Sequence, residues 1–172
     1  GVDHVDVYAL HDPDPDDVAR EDVVRALERV LERGQARRVA VAGKGAACEA
    51  AARLDGPYGV LQMSVADFAA GAGSGSRRHV VTHSIFGVDG AKRRLEQALA
   101  DPARRARLAA AGYEGAPGEA AADLLIDCAF ELNPNGVTLA SMFDARHLER
   151  NVARAARPVA TQARATLAAI LP

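Results

Sequence analysis

Residues 18–42 read VAREDVVRALERVLERGQARRVAVA, and this stretch decides the fold class. Its first part carries apolar side chains at spacings of three and four residues, which predicts an amphipathic helix over 18–33. The members of this apolar stripe are Val23, Leu27, Val30 and Leu31. Gly34 is the predicted C-cap, and the apolar run 39–42 predicts a short buried strand. A helix that leads directly into a buried strand is typical of parallel β/α architecture.

The same strand-and-helix unit recurs on both sides of this stretch. Apolar runs predict strands over 5–10, 39–42, 58–63, 79–83 and 137–140. The first of these, 5–10, is rich in Val and Leu and is predicted to be a buried strand. Helical patterns cover 18–33, 46–54, 91–99 and 117–132, and a last helix begins at the N-cap Asp144 and carries Leu148 and Val152 on one face. The alternation predicts an α/β protein with parallel strands, but it fits a closed barrel and an open doubly wound sheet equally well.

The bulk composition argues against several classes of protein. The 21 Lys and Arg residues are interleaved with 23 Asp and Glu residues, for a net charge of −2, so no basic surface for a nucleic acid is expected. No apolar run approaches the ~18 residues that a membrane span needs. Cys48 and Cys128 match no metal or redox spacing and are predicted to be buried free thiols. We therefore expect a cytoplasmic protein that binds neither nucleic acid nor membrane and holds no metal.

Five short motifs follow one another along the chain. They are residues 1–11 (GVDHVDVYALH), residues 26–38 (ALERVLERGQARR), Val60-Leu-Gln62, His83-Ser-Ile-Phe-Gly87 and residues 145–151 (ARHLERN). In this order and at these spacings they resemble the aldo-keto reductases. The first resembles that family's fourth barrel strand, which ends in the active-site His, and the second resembles the approach to strand five. The other three resemble strand six, the loop after strand seven and the final cofactor helix.

The resemblance implies a TIM (β/α)₈ barrel, of which residues 1–172 supply about five β/α units as the C-terminal part of a single domain. Five strands cannot close a barrel of eight, and an open half leaves two edge strands unpaired. The N-terminal half of the same barrel is therefore the expected partner. Gly1 is followed almost at once by a predicted strand and no Met precedes it, so we expect a fragment of a longer protein.

The resemblance also implies hydride transfer between NADP or NAD and a small carbonyl or alcohol substrate, at the carboxyl ends of the strands. In the family a Tyr is the general acid, a Lys lowers its pKa, an Asp orients them and a His positions the carbonyl oxygen. The Tyr, Lys and Asp precede strand four, so of these residues the chain contains only the His, which is His11. Enzymatic activity is thus expected only together with the missing half.

Each candidate site residue has a plainer alternative. His11 is the predicted catalytic residue, or else an exposed histidine at a strand end. Gln62 is predicted to contact the nicotinamide carboxamide, or else to bond to a neighbouring backbone. His83 replaces the family's stacking aromatic ring, or else is a structural residue of the barrel rim. The remaining predicted cofactor contacts are Ser84 at a phosphate, Phe86 in the same motif and Asn151 at the adenine.

Two segments depart from the family's pattern. Gly43-Lys44-Gly45 stands where the family has Ser-Asn-Phe, and it predicts either a plain tight turn or a phosphate cradle with Lys44 as counterion. The basic residues that contact the 2′-phosphate in the family would fall near Ser141, Met142, Phe143 and His147. In this segment the one basic residue of the Lys or Arg type is Arg146, and Asp144 is acidic. An Asp at a helix N-terminus suits a ribose hydroxyl better than a phosphate, so we expect a relaxed preference or NAD over NADP.

Three functions are open at this point. The first is an NAD(P)-dependent carbonyl reductase or alcohol dehydrogenase, with a polyol or aldose as substrate, because the residues after strand four resemble the sugar and pyridoxal dehydrogenase branches. The second is a catalytically inactive relative that serves as a binding or scaffolding protein, which the changes at Gly43, Lys44 and His83 favour. The third is a barrel with different acid–base chemistry at His11 and His83.

Overall fold

The computed structural model describes residues 2–87 and 90–171. Gly1, with which the first motif begins, lies outside the described residues. The chain divides into two compact units, Gly1–His83 and Ser84–Pro172.

The first unit is a parallel sheet with helices. Its strands are β1 (Val5–His11), β2 (Ala36–Ala42), β3 (Tyr58–Ser64) and β4 (His79–His83), and they are hydrogen-bonded in the order β1-β2-β3-β4. Its helices are α1 (Pro15–Ala19), α2 (Glu21–Glu32), α3 (Gly45–Arg53) and α4 (Val65–Ala69). Each neighbouring pair of strands is parallel, which confirms the predicted α/β class.

One face of this sheet builds the core of the first unit. Val41 is paired in register with Leu61, and register partners in a parallel sheet point to the same face. These side chains pack with Met63 and with Cys48 of α3, all fully buried. The Tyr58 hydroxyl donates a hydrogen bond to the carbonyl oxygen of Val18 at 2.8 Å, so its polar end is satisfied inside the core. Each fully buried aliphatic side chain of this kind stabilises the fold by roughly 1.5–3 kcal/mol.

The segment predicted as one helix over 18–33 forms two helices. Arg20 breaks it with an extended backbone, at φ −63° and ψ 127°. Its guanidinium holds Asp17 on one side at 3.1 Å and Asp22 on the other at 2.7 Å. Pro15 begins α1 earlier than predicted, because its fixed φ suits the first helical position. The apolar stripe did not reveal the break because it begins only after Arg20.

Gly34 ends α2 as predicted. Its φ is +65°, its N–H donates to the Leu31 carbonyl at 2.9 Å, and the N–H of Gln35 donates to the Val30 carbonyl at 3.0 Å. These two bonds form a Schellman motif, which satisfies carbonyls that the end of a helix leaves free.

Strand β1 is exposed, so its predicted burial is wrong. Val5, Val7 and Tyr8 are 39%, 45% and 49% exposed. Among the described strands, β1 is hydrogen-bonded only to β2. The apolar run is typical of a strand that other elements pack against. Within residues 2–83, no element packs against the exposed side chains of β1.

The second unit is mainly helical. It contains α5 (Ala91–Ala98), α6 (Pro102–Ala110), α7 (Pro117–Leu132), the short strand β5 (Val137–Thr138), α8 (Ala145–Ala155) and α9 (Ala163–Ile170). Helix α7 has the predicted bounds and buries its apolar stripe, including Leu124 and Leu125. Strand β5 is shorter than the predicted run 137–140. Helices α6 and α9 were not predicted, because alanine-rich segments show little hydrophobic contrast along the chain.

No helix within residues 2–87 and 90–171 combines the length and the apolar character that crossing a bilayer requires.

Candidate functional site

Three of the predicted site residues share one face of the sheet in the first unit. His11 is paired in register with Ala42, and Ala42 with Gln62. Both side chains therefore lie on the face opposite the core, about 10 Å apart at their Cα atoms because two strand spacings separate them. His83 follows two residues after the register partner of Gln62 on β4, so it joins the same face one step nearer the carboxyl ends.

The backbone is strained directly after both histidines. Asp12 has a φ of +49° and Ser84 a φ of +58°, and within the described part of the chain they are the non-glycine residues with positive φ. Such a conformation costs about 1–3 kcal/mol and tends to occur at functional sites. Ser84 is the first residue of the second unit and is half-buried. The strain thus lies where strands β1 and β4 end.

The turn Gly43-Lys44-Gly45 is shaped by close packing. A Cβ on Gly43 would lie 3.2 Å from the Cα of Asp12, and a Cβ on Gly45 would lie 3.0 Å from the Cβ of Asp67. Lys44 occupies the N-cap position of α3 without a side-chain cap. These contacts explain both glycines without a ligand, so they favour the plain turn over the phosphate cradle.

The side chains of His11 and Gln62 are available to a ligand. The main-chain carbonyl of Gln62 accepts from the N–H of Gly43 at 3.0 Å and from the thiol of Cys48 at 3.4 Å. Its half-buried side-chain amide, however, makes no hydrogen bond to any residue that the structure describes, and neither does the exposed imidazole of His11. The neighbouring backbone contact proposed for the Gln62 amide is therefore not formed.

Both cysteines are free and buried, as predicted. Burial raises the pKa of the Cys48 thiol to about 11 and that of the Cys128 thiol to about 12. Neither is a thiolate nucleophile near neutral pH. Within the described ranges, no group of three or more His, Cys, Asp or Glu side chains is placed to hold a metal ion.

The second unit contains a pocket of about 250 Å³ that brings Phe86 and Asn151 together. We call it the α7–α8 pocket. Its apolar wall includes Phe86, Ala122 and Ile126, and its polar lining includes Ser141, His147 and Asn151. A concave, mostly apolar surface with a few polar groups is typical of a small-molecule site. Ser84 is not among the described residues that line it.

A buried ionic cluster fixes one wall of this pocket. Arg150 of α8 donates to both carboxylate oxygens of Asp123 on α7, at 2.9 and 2.7 Å, and these bonds raise its pKa. Arg154 donates to Asp123 and to Asp127, each at 2.6 Å. The Asp123 side chain is only 6% exposed. We call these four residues the α7–α8 clamp, and Asn151 follows Arg150 directly on α8.

The cations at the pocket already face carboxylates. Lys92 lies 3.3 Å from Glu96 and 5.8 Å from the centre of the Phe86 ring, while Arg150 also lies 3.2 Å from Glu119. Asp144 caps α8 as predicted, accepting from the N–H of Arg146 at 2.9 Å. Its hydrogen bond with the Arg146 guanidinium, at 2.7 Å, lowers the pKa of Asp144.

The clamp was not predicted from the sequence, although one signal was present. Asp123 and Asp127 are four residues apart on a largely apolar helix, and Arg150 and Arg154 have the same spacing on α8. Carboxylates that a helix buries need partners, and these two arginines have a spacing that matches them. Nothing in the sequence distinguished Lys92 or Glu119 from other surface charges.

Leu148 and Val152, predicted to share a face of α8, are 47% and 60% exposed. The α7–α8 clamp, rather than this apolar pair, therefore attaches the helix.

No family model matches the sequence, and no curated protein matches it. Solved structures match its fold. The aldo-keto reductase AKR11C1 from Bacillus halodurans, in its holo form, is similar with a TM-score of 0.64 and 17% identity over 98% of this chain and 61% of its own. MGS-M4, an aldo-keto reductase enzyme from a Medee basin deep-sea metagenome library, has a TM-score of 0.60 and 10% identity over 99% of this chain and 60% of its own.

These structures confirm the resemblance at the level of the fold. The chain has the fold of part of an aldo-keto reductase barrel, and it spans about 60% of the length of the structures it matches. The roles of His11, Gln62, His83, Ser84, Phe86 and Asn151 stay predictions.

Proposed function

We propose that this chain is the dinucleotide-binding part of an oxidoreductase of the aldo-keto reductase type, which acts on a carbonyl or alcohol. The observation that carries this proposal is the α7–α8 pocket, where Phe86 and Asn151 line one cavity. NAD or NADP, when bound, supplies or accepts the hydride at its nicotinamide ring.

The residues of the α7–α8 pocket fit the adenosine end of such a cofactor. Phe86 and Ile126 offer an apolar wall to a purine, and Ser141 and His147 offer polar groups to a ribose. The half-buried side-chain amide of Asn151 has no hydrogen-bond partner among the described residues, so both its donor and its acceptor remain for a base edge.

In the first unit, His11 and Gln62 present polar groups on one face of the sheet, and neither group has a hydrogen-bond partner in the part of the chain that the structure describes. We assign the imidazole of His11 to the substrate oxygen, which it holds and orients, and the amide of Gln62 to the nicotinamide carboxamide. A carbonyl held in this way is oriented before reaction, which is the main contribution of a positioning group.

The proton donor must come from another segment. The sequence contains three tyrosines. The hydroxyl of Tyr58 donates a hydrogen bond to the carbonyl oxygen of Val18 inside the core. Burial raises the pKa of both Tyr58 and Tyr113, which makes them poorer acids. Tyr8 is paired in register with Val39, on the face opposite His11. The exposed edge of β1 offers a place for the N-terminal half of the same barrel, which we propose as the partner that supplies the donor.

We further propose that NAD is preferred over NADP. A 2′-phosphate needs cations that are not already neutralised, and Lys92, Arg146 and Arg150 each pair with a carboxylate. Dissociation constants for both cofactors check this preference, and a clearly tighter NADP complex would contradict it. A cytoplasmic location, suggested by the buried free thiols, belongs to the same proposal.

A catalytically inactive binding or scaffolding protein is the second candidate. The packing of Gly43 against Asp12 favours it, because this turn replaces the family's polar carboxamide contacts with residues that pack on the fold itself.

Thermal unfolding of the purified protein with NAD, NADP and ADP-ribose separates the two candidates. A ligand at ~100 times its dissociation constant adds about 2.7 kcal/mol of stability. We expect stabilisation by NAD and ADP-ribose, weakened about tenfold in affinity by Asn151→Ala and unchanged by Gln97→Ala, a matched control on the exposed face of α5. If none of the three ligands raises the unfolding temperature, the result would favour the scaffolding protein.

A further inference from the structure

A second pocket, of about 490 Å³, lies at the amino ends of the strands in the first unit. We call it the amino-end pocket. Arg38 of β2, Gly59 of β3, His79 of β4 and the segment 75–78 line it, together with Ala52 of α3. It lies at the opposite end of the strands from His11 and Gln62, so it belongs to a different site.

Its charged side chains are basic. Among the residues that the structure describes, Arg38, Arg77 and Arg78 line the amino-end pocket and no Asp or Glu does, although the chain as a whole has a net charge of −2. A pocket lined by charges of one sign attracts ions and ligands of the opposite sign.

Two of these arginines have no partner within residues 2–87 and 90–171, unlike their neighbours in sequence and space. Arg37, next to Arg38, pairs with Asp6 at 3.0 Å, and Arg53, next to Ala52, pairs with Glu49 at 3.0 Å. By contrast, neither Arg38 nor Arg77 makes a side-chain hydrogen bond or ion pair with any described residue. Their guanidinium donors are therefore free for an external acceptor.

The third arginine fixes the pocket. Arg78 donates through Nη1 to the Tyr58 carbonyl oxygen and through Nη2 to the Leu54 carbonyl oxygen, the latter at 2.5 Å. Both acceptors are neutral, so the positive charge of Arg78 is held in place without a carboxylate to balance it. This anchoring prepares the pocket before any ligand arrives.

The loop that enters the pocket has a backbone suited to anions. Gly71, Gly73 and Gly75 all have left-handed φ values, of +100°, +70° and +74°. Left-handed residues can turn N–H groups toward a concavity that binds an anion. In this loop the N–H groups of Ser74 and Ser76 donate to the carbonyl oxygens of Gly71 and Gly73, at 3.0 and 3.2 Å. The N–H groups of Gly75 and Arg77 donate to no described residue, while that of Arg78 donates to the Ser76 hydroxyl at 3.2 Å.

We propose that the amino-end pocket binds the phosphate group of a small soluble molecule, with Arg38 and Arg77 as its direct ligands. The planar fork of arginine matches phosphate oxygens in pairs, and the fixed charge of Arg78 adds long-range attraction. This site is independent of the proposed dinucleotide pocket.

Calorimetric titration of inorganic phosphate into the purified protein, at low ionic strength, tests the site. We expect Arg38→Ala and Arg77→Ala each to weaken binding about tenfold, which corresponds to about 1.4 kcal/mol. Arg29→Ala is the matched control, because Arg29 is an exposed arginine of the same unit outside the pocket, and it should bind phosphate like the original protein. Equal weakening in all three variants, or no binding by the original protein, would overturn the proposal.

Two further measurements complete the test. On phosphate addition, the amide signals of Gly75 and Arg77 should shift in nuclear magnetic resonance spectra of the unsubstituted protein, a readout that needs no variant to fold. Signals that move elsewhere and leave these two unchanged would overturn the site. Sedimentation with vesicles that contain phosphatidic acid distinguishes the source of the phosphate: binding to vesicles without binding of free phosphate would refute a small soluble ligand.

Discussion

At the scale of single residues, Gly43 and Gly45 determine how closely β1, α3 and α4 approach one another. Both lie in the turn after β2, and each would place a Cβ within about 3 Å of a neighbouring atom. The turn is therefore constrained by steric contact, which leaves little room for larger side chains at these two positions.

Substitution of Gly45 by Ala should destabilise the first unit. The new Cβ would lie 3.0 Å from the Cβ of Asp67 and 3.1 Å from that of Ala72, and overpacking of this kind costs roughly 1–3 kcal/mol. Denaturant unfolding measures the loss. Gly59→Ala is the control, because its Cβ meets only the Val39 carbonyl oxygen at 3.9 Å. If both variants unfold at the same denaturant concentration as the original protein, the close packing around Gly45 does not constrain this turn.

The buried thiols give a pH dependence of stability. Burial raises the pKa of Cys48 from 9.0 to about 11, because the fold disfavours the thiolate. The unfolded chain loses its proton first, so the stabilisation is complete below pH 9.0 and is lost as the pH rises through about 11. We expect the free energy of unfolding to fall over this window, and to fall less steeply in Cys48→Ala. Identical slopes for the two proteins would contradict the burial of Cys48.

At this scale the sequence predicted which residues are polar at the strand ends, but not their partners. His11, Gln62 and His83 each end or interrupt an apolar run. The contrast between a polar residue and its apolar neighbours can be read from the sequence alone. Their common face depends on the register between β1, β2, β3 and β4, which includes an irregularity between Val39 and Ala40. Register is set by contacts between strands, so a single strand does not encode it.

At the scale of elements, α8 is attached to α7 by charge rather than by apolar contact. Leu148 and Val152 are exposed, whereas Asp123 is buried and pairs with Arg154, whose side chain is 11% exposed. The bounds of α7 and the cap of α8 could be predicted from Pro117 and Asp144, which are local signals. The clamp could not be predicted with the same ease because its partners are 27 or more residues apart.

Substitution Asp123→Ala should unfold the second unit more readily. It leaves Arg150 and Arg154 without their shared carboxylate, and removal of one partner from a buried pair costs about 3–5 kcal/mol. Urea unfolding checks the effect. Asp22→Ala, which removes an exposed carboxylate paired with Arg20, should leave the urea midpoint almost unchanged, because water screens exposed ion pairs. Comparable losses in both variants would show that the clamp contributes no more than a surface pair.

At the scale of the whole molecule, β1 presents an apolar strand edge to solvent. Val5, Val7 and Tyr8 are exposed, and long exposed edges invite pairing with another strand. The sequence predicted burial here because an apolar run does not reveal which part of a protein packs against it. The run looks the same whether the residues that bury it belong to this chain or to another segment. Fold class was predictable from periodicity, but this exposure was not.

Addition of a polypeptide with the N-terminal three β/α units of an aldo-keto reductase barrel should protect this edge and create carbonyl reductase activity. Hydrogen exchange at the amides of Val5 and Val7 measures the protection, and oxidation of NADH with an aldose measures the activity. His11→Ala should then lower kcat/KM by about 10²–10³. Protection without activity would support the scaffolding function, and absence of protection would contradict the proposed partner.

The proposed function requires Phe86 and Asn151 to form the adenosine site of a dinucleotide. A crystal structure of the protein grown with NAD would show where the adenine binds. We expect it in the α7–α8 pocket, packed on Phe86 and hydrogen-bonded to the side-chain amide of Asn151. Adenine bound at any other place, or an empty pocket at saturating NAD, would contradict it.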